Sequence, residues 1–127
     1  MIYLAIPYTG IEETSFKVAT AITGELMKRG EHVYSPITHS HEVARVTKLP
    51  TEWAYWEKVD REFISRCDEL FVVCIDGWEE STGVQAEIEI AAEFGLPVRF
   101  LLATGFSSSI TFNAVCGRIY DLRIFAD

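Results

Sequence analysis

Two carboxylates stand where their helices should be apolar, Asp60 in the segment from Trp53 to Cys67 and Glu87 in the segment from Val84 to Gly95. Spaced about 100° apart around a helix, Trp53, Trp56, Val59, Phe63, Ile64 and Cys67 form one apolar arc, and Asp60 lies inside it. The second segment gathers Val84, Ile88, Ile90, Ala91, Ala92 and Phe94 on a wide apolar sector, with Gln85, Glu89 and Glu93 as its polar stripe. Glu87 falls in the apolar sector. A carboxylate on a packing face costs several kcal/mol unless it is paired, hydrogen-bonded or turned toward a wet cleft. The economical explanation for two such residues is one pocket lined by both. Paired acids in a partly apolar pocket can do nucleophilic or acid–base work.

The run Ser81-Thr82-Gly83-Val84-Gln85-Ala86-Glu87 supplies a setting for that chemistry. The first turn of a helix offers free N–H groups and the positive end of the dipole. Helical side chains lean toward the N-terminus, so the Glu87 carboxylate hangs over the turn that holds Gly83. Gly83 leaves that space empty for a ligand, and the dipole favours an ionised Glu87. The plainer account makes Thr82 the N-cap and Gln85 its capping-box partner, which leaves the two misplaced acids unexplained.

Weaker signals lie nearby. His39 and His41 are one residue apart in a polar stretch, but no third ligand stands at a metal-like distance. No metal is therefore assigned, and His41 is a candidate proton donor. Trp78, in the turn after an apolar run, is a candidate surface for stacking a base, whereas Trp53 and Trp56 at helical spacing read as core. Asp76 invites comparison with phospho-acceptor domains, which need an acid pair after the first strand; Pro7 and Tyr8 occupy that place. There is no G-x-G-x-x-G and no Walker A lysine, which removes dehydrogenase and NTPase readings.

The elements that must position these residues alternate in type. Ile2–Ile6 reads as a buried strand stopped by Pro7, and Glu12–Arg29 as a helix with acids first, bases last and Gly30 beyond. His32–Tyr34 is a short strand, and Ser35–Pro50 a long functional loop. Leu70–Ile75 is a central strand, Asp76–Glu80 a turn, Thr82–Gly95 a helix and Val98–Leu102 a further strand. The tail suggests a helix over Phe112–Gly117 and an edge strand near Ile119–Phe125. The implied class is α/β: a doubly wound, Rossmann-like or flavodoxin-like parallel sheet of about five strands with helices on both faces. In such a sheet ligands sit beyond the carboxyl ends of the strands. Pro7–Gly10, Ser35–His41 and Asp76–Gly83 should gather there.

Tyr8 at the end of the first strand, the Asp60–Asp68 stretch leading into an apolar strand, and the Ser81–Glu87 run together resemble the nucleoside 2-deoxyribosyltransferase superfamily over roughly the first hundred residues. The likeness extends to small members without an assigned function. It implies that Glu87 is the nucleophile at C1′ of a sugar, that Asp60 orients substrate and nucleophile, and that Tyr8 contacts the site beside Glu87. Pro7, Gly10 and Gly83 would line the substrate. Members that act on nucleosides carry an acid at the position of Ser81. The related hydrolases of nucleoside 5′-monophosphates carry a serine that helps hold phosphate, which points to the nucleotide N-glycosidase branch. The first loop departs from that branch, for Pro7–Glu13 contains two acids and no Arg; Lys17, Arg45 or Lys48 would have to substitute. The resemblance also implies a homo-oligomer whose neighbour closes each site, with Asn113 as a contributor, and no cofactor.

With 127 residues the chain is most simply a single domain, 1–127. A formal charge of −8 repels a polyphosphate, so no nucleic-acid polymer is expected as a partner. A small nucleotide or nucleoside is not excluded by net charge. No apolar stretch approaches a membrane span and no leader is legible. Cys67, Cys74 and Cys116 cannot pair completely, which suits a reducing cytoplasm. The competing functions are base exchange between nucleosides and a non-catalytic nucleotide-binding or sensing role.

Overall fold

The computed structural model describes residues 1–103, 109–114 and 119–123. Strand β1 (Ile2–Ala5) leads into α1 (Glu12–Lys28), β2 (Val33–Tyr34), α2 (Pro36–Thr47) and α3 (Trp53–Ile64). Strand β3 (Glu69–Cys74), α4 (Thr82–Glu93), β4 (Val98–Ala103), β5 (Ser109–Ala114) and β6 (Ile119–Arg123) follow. The sheet order is β2-β1-β3-β4-β5-β6. The first four strands are parallel, and β5 and β6 extend the sheet antiparallel. The parallel part therefore has four strands rather than about five.

β1 is the hub because its residues alternate between two cores. Ile2, Leu4 and Ile6 pack with Val18, Ala19, Ile22 and Leu26 of α1 on one face. Tyr3 and Ala5 pack with Ile64 of α3 and with Val84, Ile90 and Ala91 of α4 on the other. This is the period-2 geometry of a strand buried on both faces. Strand order reverses at β1, which has β2 on one side and β3 on the other. Such a switch point opens a crevice at the carboxyl ends of its strands.

The sequence misleads in two stretches. Ser35–Pro50 is mostly helix, not loop: Ser35 is the N-cap, its Oγ accepting the Thr38 N–H at 3.3 Å, and Pro36 takes the first helical position. Proline is suited there because the first N–H groups of a helix have no intrahelical acceptor. The helix proposed over Phe112–Gly117 is overturned by β5, which carries Phe112–Ala114; residues 115–118 lie outside the described residues. The expected edge strand is β6. Among the described residues no helix is long and apolar enough to cross a membrane.

Candidate active site

Asp60 and Glu87 meet. They are 7% and 5% exposed, and both form part of the wall of one cleft of about 720 Å³ beyond the ends of β1 and β2. Their helices pack on the same sheet face as Tyr3, whose hydroxyl donates to Glu87 Oε2. Burial and the neighbouring Asp60 push the Glu87 carboxyl well above the usual range. Burial raises Asp60 to about 6, while hydrogen bonding from Tyr3 pulls both acids back. Two like charges in one poorly solvated site resist ionising together, so the arrangement favours a state in which one of the pair keeps its proton. The helix dipole does not keep Glu87 ionised as its position suggested. Glu87 lies in the second turn of α4, where the dipole fades, and desolvation outweighs it.

Tyr3 is the partner of this acid pair that sequence reasoning passes over. Tyr8, which the resemblance places beside Glu87 in contact with it or with substrate, lines the same cleft, and the hydrogen bond to Glu87 comes from Tyr3, which points from inside β1 to the α3–α4 face. Tyr3→Phe removes the group that favours the ionised acids. If turnover requires ionised Glu87, the acidic limb of kcat/KM against pH should move to higher pH. Stability should also fall by about 1–2 kcal/mol in a urea titration, the cost of a lost buried hydrogen bond.

The α4 end of the cleft is built from Ser81, Thr82 and Gly83. Ser81, not Thr82, is the N-cap, and its Oγ accepts the Val84 N–H at 3.3 Å. Ser81 thus fills part of the anion site that its own helix start would offer, although its hydroxyl proton can still be donated. A Cβ built on Gly83 would meet nothing within 4 Å. Packing within the protein does not demand glycine there.

The facing wall belongs to the segment after β1 and to α2. Pro7 and Tyr8 line the cleft, and the Pro7 carbonyl accepts the Ser15 hydroxyl. Gly10 makes the turn at φ +88° and lies off the cleft wall, its N–H held by Glu12 Oε2 at 2.6 Å. His41 is 8% exposed and on α2, not in a loop. Its Nδ1 is 2.6 Å from Tyr8 Oη and its Nε2 is 3.0 Å from Glu13 Oε1. The His41 ring stacks on Phe16 at 4.5 Å. His39 turns away to Ser40, and among the described residues no group of three potential ligands could hold a metal.

Trp78 is not on the cleft wall. It packs on the α3–α4 core with its ring 5.3 Å from Phe100, because the chain after β3 folds back over that face. Trp53 packs against that core, as helical spacing suggests, and also lines the cleft together with Trp56. Trp56 is fixed by Nε1–H donation to the Pro50 carbonyl at 2.8 Å. Phe94, placed by periodicity on the apolar sector of α4, is exposed at the C-cap.

Charge on the wall is mostly negative. Besides Asp60 and Glu87 it includes Glu12 and Glu80, and among the described residues Arg45 is its one lysine or arginine. Arg45 is engaged by both oxygens of Glu42, at 2.9 and 2.8 Å. Lys17 and Lys48 are not on it.

Residues 1–102 match the family described as "Domain of unknown function (DUF1937)". The chain belongs to the DUF1937 family. The matched span contains every cleft residue named above and the whole of β1–α4, so the fold that makes the site is the part shared with DUF1937. No curated protein matches the chain.

Proposed function

We propose that this DUF1937 protein cleaves the N-glycosidic bond of a nucleoside or nucleoside 5′-monophosphate, with Glu87 as nucleophile. The observation that carries this reading is the meeting of Asp60 and Glu87, both buried, in a cleft walled by Trp53 and Trp56. An aromatic wall suits a base, and a carboxylate pair suits the anomeric carbon of a pentose.

The steps follow from the pair's single proton. For Glu87 to attack, that proton must sit on Asp60, and the Tyr3 hydroxyl between them is the natural bridge. An oxygen of Glu87 forms a bond to C1′ as the C1′–N bond breaks and its electrons leave with the base. Asp60 then holds sugar hydroxyls or keeps Glu87 in line. Water adds to C1′ and frees Glu87; a second base in place of water would give base exchange, the alternative within the same chemistry.

The wall charge favours an uncharged nucleoside over a 5′-monophosphate. A phosphate would meet Glu12 and Glu80, with Arg45 already engaged and the Ser81 oxygen already accepting Val84 N–H. Ser81 and the start of α4 remain the place for an anionic group if one is bound. A second copy closing the open side of the cleft, and a cytosolic setting for the free Cys67 and Cys74 thiols, complete the proposal. The Asn113 side chain, suggested as a contribution from that copy, lies outside the described residues.

Incubation with nucleosides, their 5′-monophosphates and NAD, followed by chromatography for free base, tests this reading. Base release from nucleosides, with a pentosyl mass adduct on Glu87 in rapidly quenched samples, is the expected result. Tight binding of a nucleotide with no base released from any member of the panel would favour the sensing role.

A further inference from the structure

Tyr8, His41 and Glu13 form a chain of hydrogen bonds that runs from the cleft to solvent. Tyr8 lines the cleft, its Oη 2.6 Å from His41 Nδ1. The His41 side chain is 7% exposed and its Nε2 is 3.0 Å from Glu13 Oε1, on a side chain that is 71% exposed. Phe16 packs flat under the imidazole and fixes its plane. These residues come from the β1–α1–α2 side of the cleft, whereas Asp60 and Glu87 come from the α3–α4 side.

The hydrogen-bond directions are decided by Glu13. An ionised carboxylate only accepts, so Nε2 must carry a hydrogen. Two states remain for Nδ1. In the neutral ring Nδ1 accepts the Tyr8 proton, and the phenol is tied to the imidazole. In the charged ring Nδ1–H donates to Tyr8 Oη, and the phenol's own proton is released toward the cleft. Burial, Glu12 and Glu13 raise the Tyr8 phenol above its ordinary range, so it still bears its proton at neutral pH. The titratable and charged groups around this chain are Tyr8 beyond β1, Glu12 and Glu13 on α1, and Glu42 and Arg45 on α2.

We propose that Tyr8 is the proton donor to the departing base, resupplied through His41 and Glu13; the proposal rests on the N-glycosidase reading above. As the C1′–N bond breaks, its electron pair stays on the base nitrogen, which takes the Tyr8 proton. The Tyr8 oxygen takes the Nδ1 proton of His41, and the ring becomes neutral while Nε2–H stays on Glu13. When water adds to C1′ and frees Glu87, the proton that water gives up returns through Tyr8 to Nδ1. One proton leaves with the base and one is recovered from water, so no other reactant is needed.

The test compares two leaving groups in the full chain. A purine or pyrimidine nucleoside needs a proton as its base departs, whereas a pyridinium riboside releases a base that is already neutral. Tyr8→Phe should lower kcat/KM on the nucleoside by about 100-fold or more and on the pyridinium riboside by no more than about 3-fold. His41→Gln should give the same selective loss, and Glu87→Gln should abolish both reactions. Equal losses on the two substrates, or none on either, would overturn the donor role of Tyr8 while leaving the Glu87 reading intact. Release of neither base by the wild type would overturn both. Nitrogen chemical shifts of His41 add a readout apart from turnover. The neutral ring should be the Nε2–H tautomer and lose that preference in Glu13→Gln, and finding the Nδ1–H tautomer in the wild type would also overturn the proposal.

Discussion

Glu87→Gln should end base release, with a loss of about 10⁴-fold or more as for other nucleophile replacements, and should make the folded protein more stable at neutral pH. The sign follows from the buried acid. Glu87 ionises higher in the folded chain than its ordinary 4.5, so the folded state binds the proton more tightly than the unfolded state does. Its stabilising effect is complete below pH 4.5 and is lost as pH rises from there through the folded value. At pH 7 a carboxyl so held is a net cost to the folded state. Asp60, moving from 3.8 to about 6, loses roughly 3 kcal/mol between acid and neutral pH. Gln keeps the acceptor for Tyr3 and removes the titration. Denaturant midpoints across pH should show the variant about 2 kcal/mol more stable at pH 7, and no different below pH 4.5. Equal stability at both pH values would mean that the pair is better solvated than its burial indicates.

Gly83 should separate folding from ligand binding in the opposite way. A Cβ there meets nothing of the protein, and a side chain in the first turn of α4 lowers the entropy cost of the helix. Gly83→Ala should therefore leave the melting temperature unchanged or raise stability by up to about 1 kcal/mol. Gly83 lines the cleft together with Ser81 and Glu87, and an added Cβ there enters open space. KM should rise about 10-fold in Gly83→Ala and about 100-fold in Gly83→Val, the scale of one methyl-sized misfit per step. Unchanged KM in both variants would move the ligand away from the start of α4.

The parallel core of the fold was legible because its elements are strongly periodic. Asp60 and Glu87 stood out because a helix repeats every 3.6 residues and each acid broke an apolar arc. Tyr3 carried the same kind of signal, a polar tip among Ile2, Leu4, Ala5 and Ile6, but in a strand buried on both faces the alternation is hidden by a continuous apolar run. α2 was obscured by the proline in its first turn, the proline beyond its end and its polar surface, although Ser35-Pro36 is itself a helix start. Trp78 was placed by its position after a strand and Trp56 by its spacing along a helix. Neither rule says which way the chain turns after β3 or how α3 tilts over the strand ends. The hairpin of β5 and β6 lies beyond the residues matched to DUF1937, where the short mixed segments favour neither period.

Because neighbouring residues of β1 serve opposite layers, the strand behaves like a reading frame in space. Deleting one residue between positions 2 and 6 would turn an aliphatic side chain toward Asp60 and Glu87 and drive the tyrosine into the oily layer under α1. A single substitution along this strand disturbs one layer at a time. An insertion or deletion would rewrite both sides of the sheet together, so the strand's length should prove less tolerant of change than the identity of most of its residues.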